Sequence, residues 1–280
     1  MAVNRLGIEN LTHMGMPPVA LVKLVAANGC VGISGALGGM PMAMFGYPQF
    51  DLYPQWSLED DPALRREMKA ALADTGVKIE LGEGFRARPD GDVRDRAAAL
   101  DIMADLGAVR INAVSMEPSL ERTYDQLAAL AAMVMERGMM FTIEFAPMNT
   151  INNLASALAA IDHIGAINGQ RARVLIDAMH LFRSGGTVAD IAALDPDVIG
   201  YAQLCDAPWV APEGKPYFLE ATCGRMVPGT GDFPLADWVA ALPTDLPIGI
   251  EVPMVEAMLA GLSPEDHVAN VVRAARALGA

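Results

Sequence analysis

Phe141-Thr-Ile-Glu-Phe-Ala-Pro147, Val174-Leu-Ile-Asp-Ala-Met-His180, Tyr201-Ala-Gln-Leu-Cys-Asp-Ala-Pro208 and Ile248-Gly-Ile-Glu-Val-Pro-Met254 decide the reading of this chain. Each is a short β-rich apolar run that ends in a group able to bind a hard metal ion or move a proton: Glu144, Asp177, Gln203 and Glu251. A carboxylate at the end of a buried strand is informative, because an unpaired buried charge is costly while one bound cation compensates several at once.

Working outward, four further runs read as strands, Asn4–Asn10, Gly32–Gly35, Val77–Leu81 and Ala108–Val114. They precede the later four, taken as Met140–Phe145, Arg173–Asp177, Ile199–Leu204 and Ile248–Val252. Segments with apolar residues at three- and four-residue spacing lie between them, among them Pro62–Thr75, Tyr124–Arg137 and His267–Leu278. Gly76, Gly107, Gly138 and Gly279 follow such segments where a helix C-cap takes a left-handed residue. Strand and helix in alternation argue for βαβ units and a parallel sheet. The fold class is therefore α/β, a single (β/α)₈ TIM barrel over residues 1–280, with its site at the C-terminal ends of the strands.

Composition bounds the rest. The chain has 280 residues, 52% of them hydrophobic, and a TIM barrel typically takes roughly 250. Its 20 basic and 34 acidic residues leave a net charge of -14, which counts against nucleic acid as a partner. Cys30, Cys205 and Cys223 form no CxxC pair and no even framework, so they read as small buried thiols of a reduced protein. The N-terminus lacks the pattern of a signal peptide, and Val19 to Met40 is too interrupted for a membrane span. The expectation is a cytoplasmic protein with no membrane partner. The irregular stretch Gly38–Leu58 follows the second strand, where a barrel carries a site loop, and its methionines and aromatics read as a substrate wall or a subunit contact.

These residues resemble the xylose isomerase-like TIM barrels, which include ketose 3-epimerases, hydroxypyruvate isomerase, inosose dehydratase and, more distantly, endonuclease IV. The family's Asp-x-x-His appears as Asp177-Ala-Met-His180, its His/Gln-x-x-Asp as Gln203-Leu-Cys-Asp206, and its Arg-x-x-Pro-Gly-x-Gly as Arg225-Met-Val-Pro-Gly-Thr-Gly231. The resemblance spans essentially the whole chain and is specific from Phe141 onward. It implies one divalent ion held by Glu144, Asp177, Gln203 and Glu251, with Glu144 and Glu251 also the catalytic acid/base pair. It implies that His180 and Arg225 bind substrate oxygens and that Asp206 orients a ligand or Arg225.

Gln203 departs from the His usual in the epimerases, and an all-oxygen donor set suits Mn²⁺ or Mg²⁺ better than Zn²⁺ or Co²⁺. The implied function is isomerisation or epimerisation of a small α-hydroxy keto compound, a hydroxypyruvate-like keto-acid or a ketose, by proton transfer through a metal-stabilised enediolate. The alternative is a metal-dependent dehydratase of an inosose- or dehydroshikimate-like substrate. A homodimer or homotetramer is implied as well. A three-zinc nuclease would need more histidines than the 4 present. Glu9, Glu80, Glu83 and Glu117 are further candidates for the mouth, and His13 for the pocket wall, whereas His163 and His267 read as solvated or structural. Few Lys or Arg in the early loops weigh against a phosphorylated substrate.

Overall fold

In the computed structural model, residues 4–50 and 52–280 are described. The first three residues of the stretch read for a signal peptide, and residue 51 of the long loop, lie outside them. Eight parallel strands form the barrel: β1 (Leu6–Ile8), β2 (Gly32–Gly35), β3 (Lys78–Ala87), β4 (Arg110–Ser115), β5 (Met140–Glu144), β6 (Arg173–Asp177), β7 (Ile199–Leu204) and β8 (Ile248–Ile250). Neighbours follow sequence order, and β8 pairs with β1 to close the ring. Closure removes the sheet edges and lets every strand bury both faces.

The three helices read from the sequence form as Pro62–Thr75, Leu120–Glu136 and Pro264–Ala277. Asp61, Ser119 and Ser263 cap their N-termini by accepting from backbone N–H groups. Gly76 ends the first at φ 73°, where a side chain would be strained. Leu127, Leu130, Ala131 and Val134 show why the second helix lies on the barrel: at three- and four-residue spacing they bury one stripe against it.

Two features differ from the sequence reading. β3 does not stop at Leu81 but continues to Ala87, its register against β4 shifting between Gly82 and Phe85. Gly84, at φ 95°, absorbs that irregularity. A small hairpin, Ala166–Ile167 with Gln170–Arg171, sits outside the barrel on an Asn168-Gly169 turn with both residues at positive φ. Among the described residues no helix is long and apolar enough to cross a membrane.

Candidate metal centre and proton-transfer site

Alternation along each strand decides which side chains enter the barrel. Thr142 and Glu144 on β5, Leu175 and Asp177 on β6, Tyr201 and Gln203 on β7 share one inward row, as their pairing shows: Glu144 stands opposite Leu175, and Asp177 opposite Gln203. On β8, Gly249 is opposite Gln203, and two residues on, Glu251 ends the same row. The absent side chain at Gly249 matters, since a Cβ there would lie 1.6 Å from Glu9 Oε1 and 2.6 Å from the Tyr201 hydroxyl.

The four residues read as metal ligands meet at the mouth, all buried, but in two groups. Carboxylate oxygens of Glu144 and Asp177 and a ring nitrogen of His180 lie within 4.8 Å of one another, and so do carboxylate oxygens of Glu9, Glu83 and Glu251. Two residues link the groups. Arg225 donates from Nη1 to Asp177 and from Nη2 to Glu251 at 2.8 Å. Gln203 Nε2 faces Glu9 Oε2 at 3.2 Å, Glu251 Oε1 at 3.4 Å and Glu83 Oε1 at 3.5 Å.

The remaining atom of that amide supplies the test of whether this set fits a cation. Gln203 Oε1 is buried with no hydrogen-bond partner. A buried acceptor left unpaired costs on the order of 1–3 kcal/mol, so it calls for an electropositive neighbour. Glu144, Asp177 and Glu251 beside it carry more negative charge than Arg225 offsets. A divalent ion satisfies the orphaned oxygen and the excess charge together, so the donor set fits one.

Each candidate is held by neighbours that fix its orientation. Glu144 Oε2 accepts from Asn112 Nδ2 at 2.6 Å, and Asn112 Oδ1 accepts from Thr142 Oγ1 at 3.3 Å. Glu144 Oε1 is 3.3 Å from His180 Nε2, and His180 Nδ1 meets the Tyr217 hydroxyl. Asp177 accepts from the His180 backbone N–H, which makes it both a site residue and the cap of helix Ala178–Arg183. Asp206 accepts from the backbone N–H groups of Ala207, Gly229, Gly231 and Phe233 and exchanges two backbone hydrogen bonds with Met226. It thereby pins residues 226–231, the segment that follows Arg225, without touching Arg225 itself.

Burial sets the protonation of these groups. Burial pushes Glu9 up to about 7, against hydrogen bonds from Tyr201, Ser34 and Gln203. Glu83 is raised well above the ordinary carboxyl value, first by burial and then by Glu144 and Glu9. Glu251 is raised by burial in spite of Arg225. Burial alone would also raise Asp177, but Arg225 and His180 outweigh it and the carboxyl stays below its usual range. The Cys205 thiol, touching Arg225 Nη1 at 3.2 Å, is driven up by burial and remains an unreactive core group, as its reading from the sequence has it.

The other acidic candidates divide. Glu9 and Glu83 enter the mouth; Glu80 is paired with Arg110 in the barrel interior at 2.6 Å, and Glu117 with Arg122 at 2.8 Å. His13 does not line the pocket but packs edge-to-face on His267 of the last helix, ring centroids 5.4 Å apart. His267 is accordingly buried and structural. Asn112, Tyr201 and Tyr217 were not legible as site residues. The only signal was the phase of their strands for the first two, and for Tyr217 there was none.

With the geometry in place, the chain can be set beside known proteins. Residues 36–278 match the model of the xylose isomerase-like TIM barrel family. No curated protein matches by sequence. Among solved structures, the IOLI protein with a bound zinc atom superposes with a TM-score of 0.76 at 16% identity, over 98% of this chain and 97% of that one. D-psicose 3-epimerase in the presence of D-fructose gives a TM-score of 0.70 at 15% identity, over 97% of each chain. A xylose isomerase-like TIM barrel/4-hydroxyphenylpyruvate dioxygenase fusion protein gives 0.76 at 19% identity over 99% of this chain, which spans 43% of that longer one.

Proposed function

The chain belongs to the xylose isomerase-like TIM barrel family, and from that premise we propose that it is a divalent-metal-dependent isomerase or epimerase of a small α-hydroxy keto compound. The observation that carries the reading is the buried row of Glu144, Asp177, Gln203 and Glu251 at four successive strand ends, with the Gln203 oxygen unpartnered and one arginine shared by Asp177 and Glu251. These four residues would hold the ion. The oxygen-rich set favours Mn²⁺ or Mg²⁺, and the bound zinc of the IOLI protein makes Zn²⁺ the rival. Bound there, a divalent ion supplies Lewis-acid stabilisation of the charge that grows on a carbonyl oxygen as the neighbouring proton leaves.

The chain's own residues do the rest. Glu144 and Glu251 approach the mouth from β5 and β8, on opposite sides of Asp177 and Gln203, so one carboxylate can take a carbon-bound proton and the other can return one. Asn112 and His180 hold Glu144 in position from either oxygen. Arg225, fixed by the Ala221 carbonyl and by Asp177, orients Glu251 and offers positive charge to a substrate oxygen. His180, tied to Tyr217 through Nδ1, would meet a second substrate oxygen by giving up its Nε2 contact with Glu144.

The test is proton exchange. In D₂O, hydroxypyruvate, ketoses and inososes are incubated with the Mn²⁺-loaded protein. Deuterium should appear on the α-carbon of an accepted compound, and Glu251→Gln should slow it by on the order of 10²-fold or more with metal still bound. Exchange unimpaired in that variant would remove Glu251 from the acid/base role. Loss of a water mass with exchange would assign a dehydratase instead, and exchange into no compound would refute the reading.

A further inference from the structure

The mouth holds a cation with no visible task among the described residues. Arg110, Arg122, Arg183 and Arg225 are each bound to a carboxylate, Glu80, Glu117, Glu220 and Asp177 with Glu251 respectively. The Arg86 side chain, by contrast, makes no ion pair and no hydrogen bond among the described residues, although it belongs to the barrel wall. Its direction follows from register. Arg86 stands opposite Val114, which is two residues beyond Asn112 on β4. Asn112 points inward, since its amide reaches Glu144. Val114 and Arg86 therefore share the inward row, one layer nearer the opening, because paired residues of parallel strands present the same face.

Two physical facts make this placement unusual. A guanidinium is flexible enough to seek a carboxylate, and the charges of Arg88, Glu83 and Glu144 all act on Arg86, yet it forms no ion pair with either glutamate. The mouth is otherwise acidic, with Glu9, Glu83, Glu144, Asp177 and Glu251 gathered in it. An anionic substrate would be repelled by that surface unless a cation met it at the rim.

We propose that Arg86 is the anchor for a substrate carboxylate, which makes the substrate of this site a keto-acid and not a neutral sugar. The inference rests on the proton-transfer reading above and narrows its substrate class. The anion is a carboxylate, which the planar guanidinium fork of Arg86 matches in two parallel hydrogen bonds; comparison with dihydroxyacetone phosphate tests it against a phosphate dianion. Arg110 is taken by Glu80, and Arg225, held by Asp177 and Glu251, serves the reacting end of the substrate. Arg86 would grip the end of the molecule that does not react, leaving the carbonyl and its neighbouring carbon to Glu144 and Glu251.

Binding and exchange test it separately. Calorimetric titration of the metal-loaded protein with D-glycerate, an inert α-hydroxy carboxylate, should show affinity falling about 10- to 100-fold in Arg86→Gln, with partial recovery in Arg86→Lys. In the D₂O assay, Arg86→Gln should raise KM for hydroxypyruvate more than it lowers kcat, and shift the kcat/KM ratio of hydroxypyruvate to dihydroxyacetone by a similar factor. Equal D-glycerate affinity in wild type and Arg86→Gln, or no binding to wild type, overturns the anchor even where neutral ketoses exchange. Arg86-dependent D-glycerate binding with no exchange of any compound leaves the anchor standing and removes the catalytic reading. A larger Arg86 dependence for dihydroxyacetone phosphate than for hydroxypyruvate overturns the carboxylate in favour of a phosphate.

Discussion

Replacing His13 and His267 together by leucine should abolish much of this protein's sensitivity to mild acid. Both imidazoles are buried, at 0% and 1% exposure, and among the described residues none of their four ring nitrogens has a hydrogen-bond partner. Burial, and then His267, pushes His13 down to about 3, and burial pushes His267 down to about 4. The folded protein therefore keeps both rings neutral where the unfolded chain, titrating near 6.5, has begun to take up protons. Their contribution is intact above pH 6.5 and is lost as the pH falls below it. At pH 5.0 the loss is roughly 2 kcal/mol for each ring, or about 4 kcal/mol for the pair. That magnitude hardly depends on how low the native values lie, provided both stay below 5. Glu9, pushed up to about 7, works in the opposite sense, stabilising the fold at low pH and losing that contribution as the pH rises. It is common to both proteins and cancels in the difference. The assay is urea unfolding at pH 7.5 and 5.0 in the presence of a chelator. Wild type should lose about 4 kcal/mol more than the double variant between the two, and equal losses would show that the pair is not held neutral.

Gln203→His should keep the barrel folded and move metal preference toward Zn²⁺ or Co²⁺ in competition binding, because imidazole suits those ions; an unchanged preference would mean that residue 203 does not touch the metal. Asp206→Ala strips a buried carboxylate that accepts from the backbone N–H groups of Ala207, Gly229, Gly231 and Phe233. It should cost about 3 kcal/mol or more in unfolding free energy, and a loss under about 1 kcal/mol would refute its role as the pin of the Arg225 segment.

The sequence by itself determined the alternation of strand and helix, the caps, and the carboxylates that end β5, β6 and β8, because these are local: periodicity, a left-handed glycine and a polar residue closing an apolar run need no partner to be read. It also carried the segment Arg225–Gly231 and Asp206, which accepts from its backbone, since their offsets are fixed along the chain. Only the tertiary structure decided what closure brings together. Tyr201 reaches Glu9 across 192 residues, His13 meets His267, and Arg225 joins Asp177 to Glu251, pairings that depend on β8 returning beside β1. The irregular register of β3 is the sharpest case. The apolar run reads locally as a strand ending at Leu81, but pairing with β4 carries the chain through Gly82 and Gly84 to Ala87, and that continuation is what turns Arg86 into the mouth. The reason is energetic: a glycine breaks a strand only where no neighbour supplies hydrogen bonds, and whether one does is settled by the sheet and not by the residue.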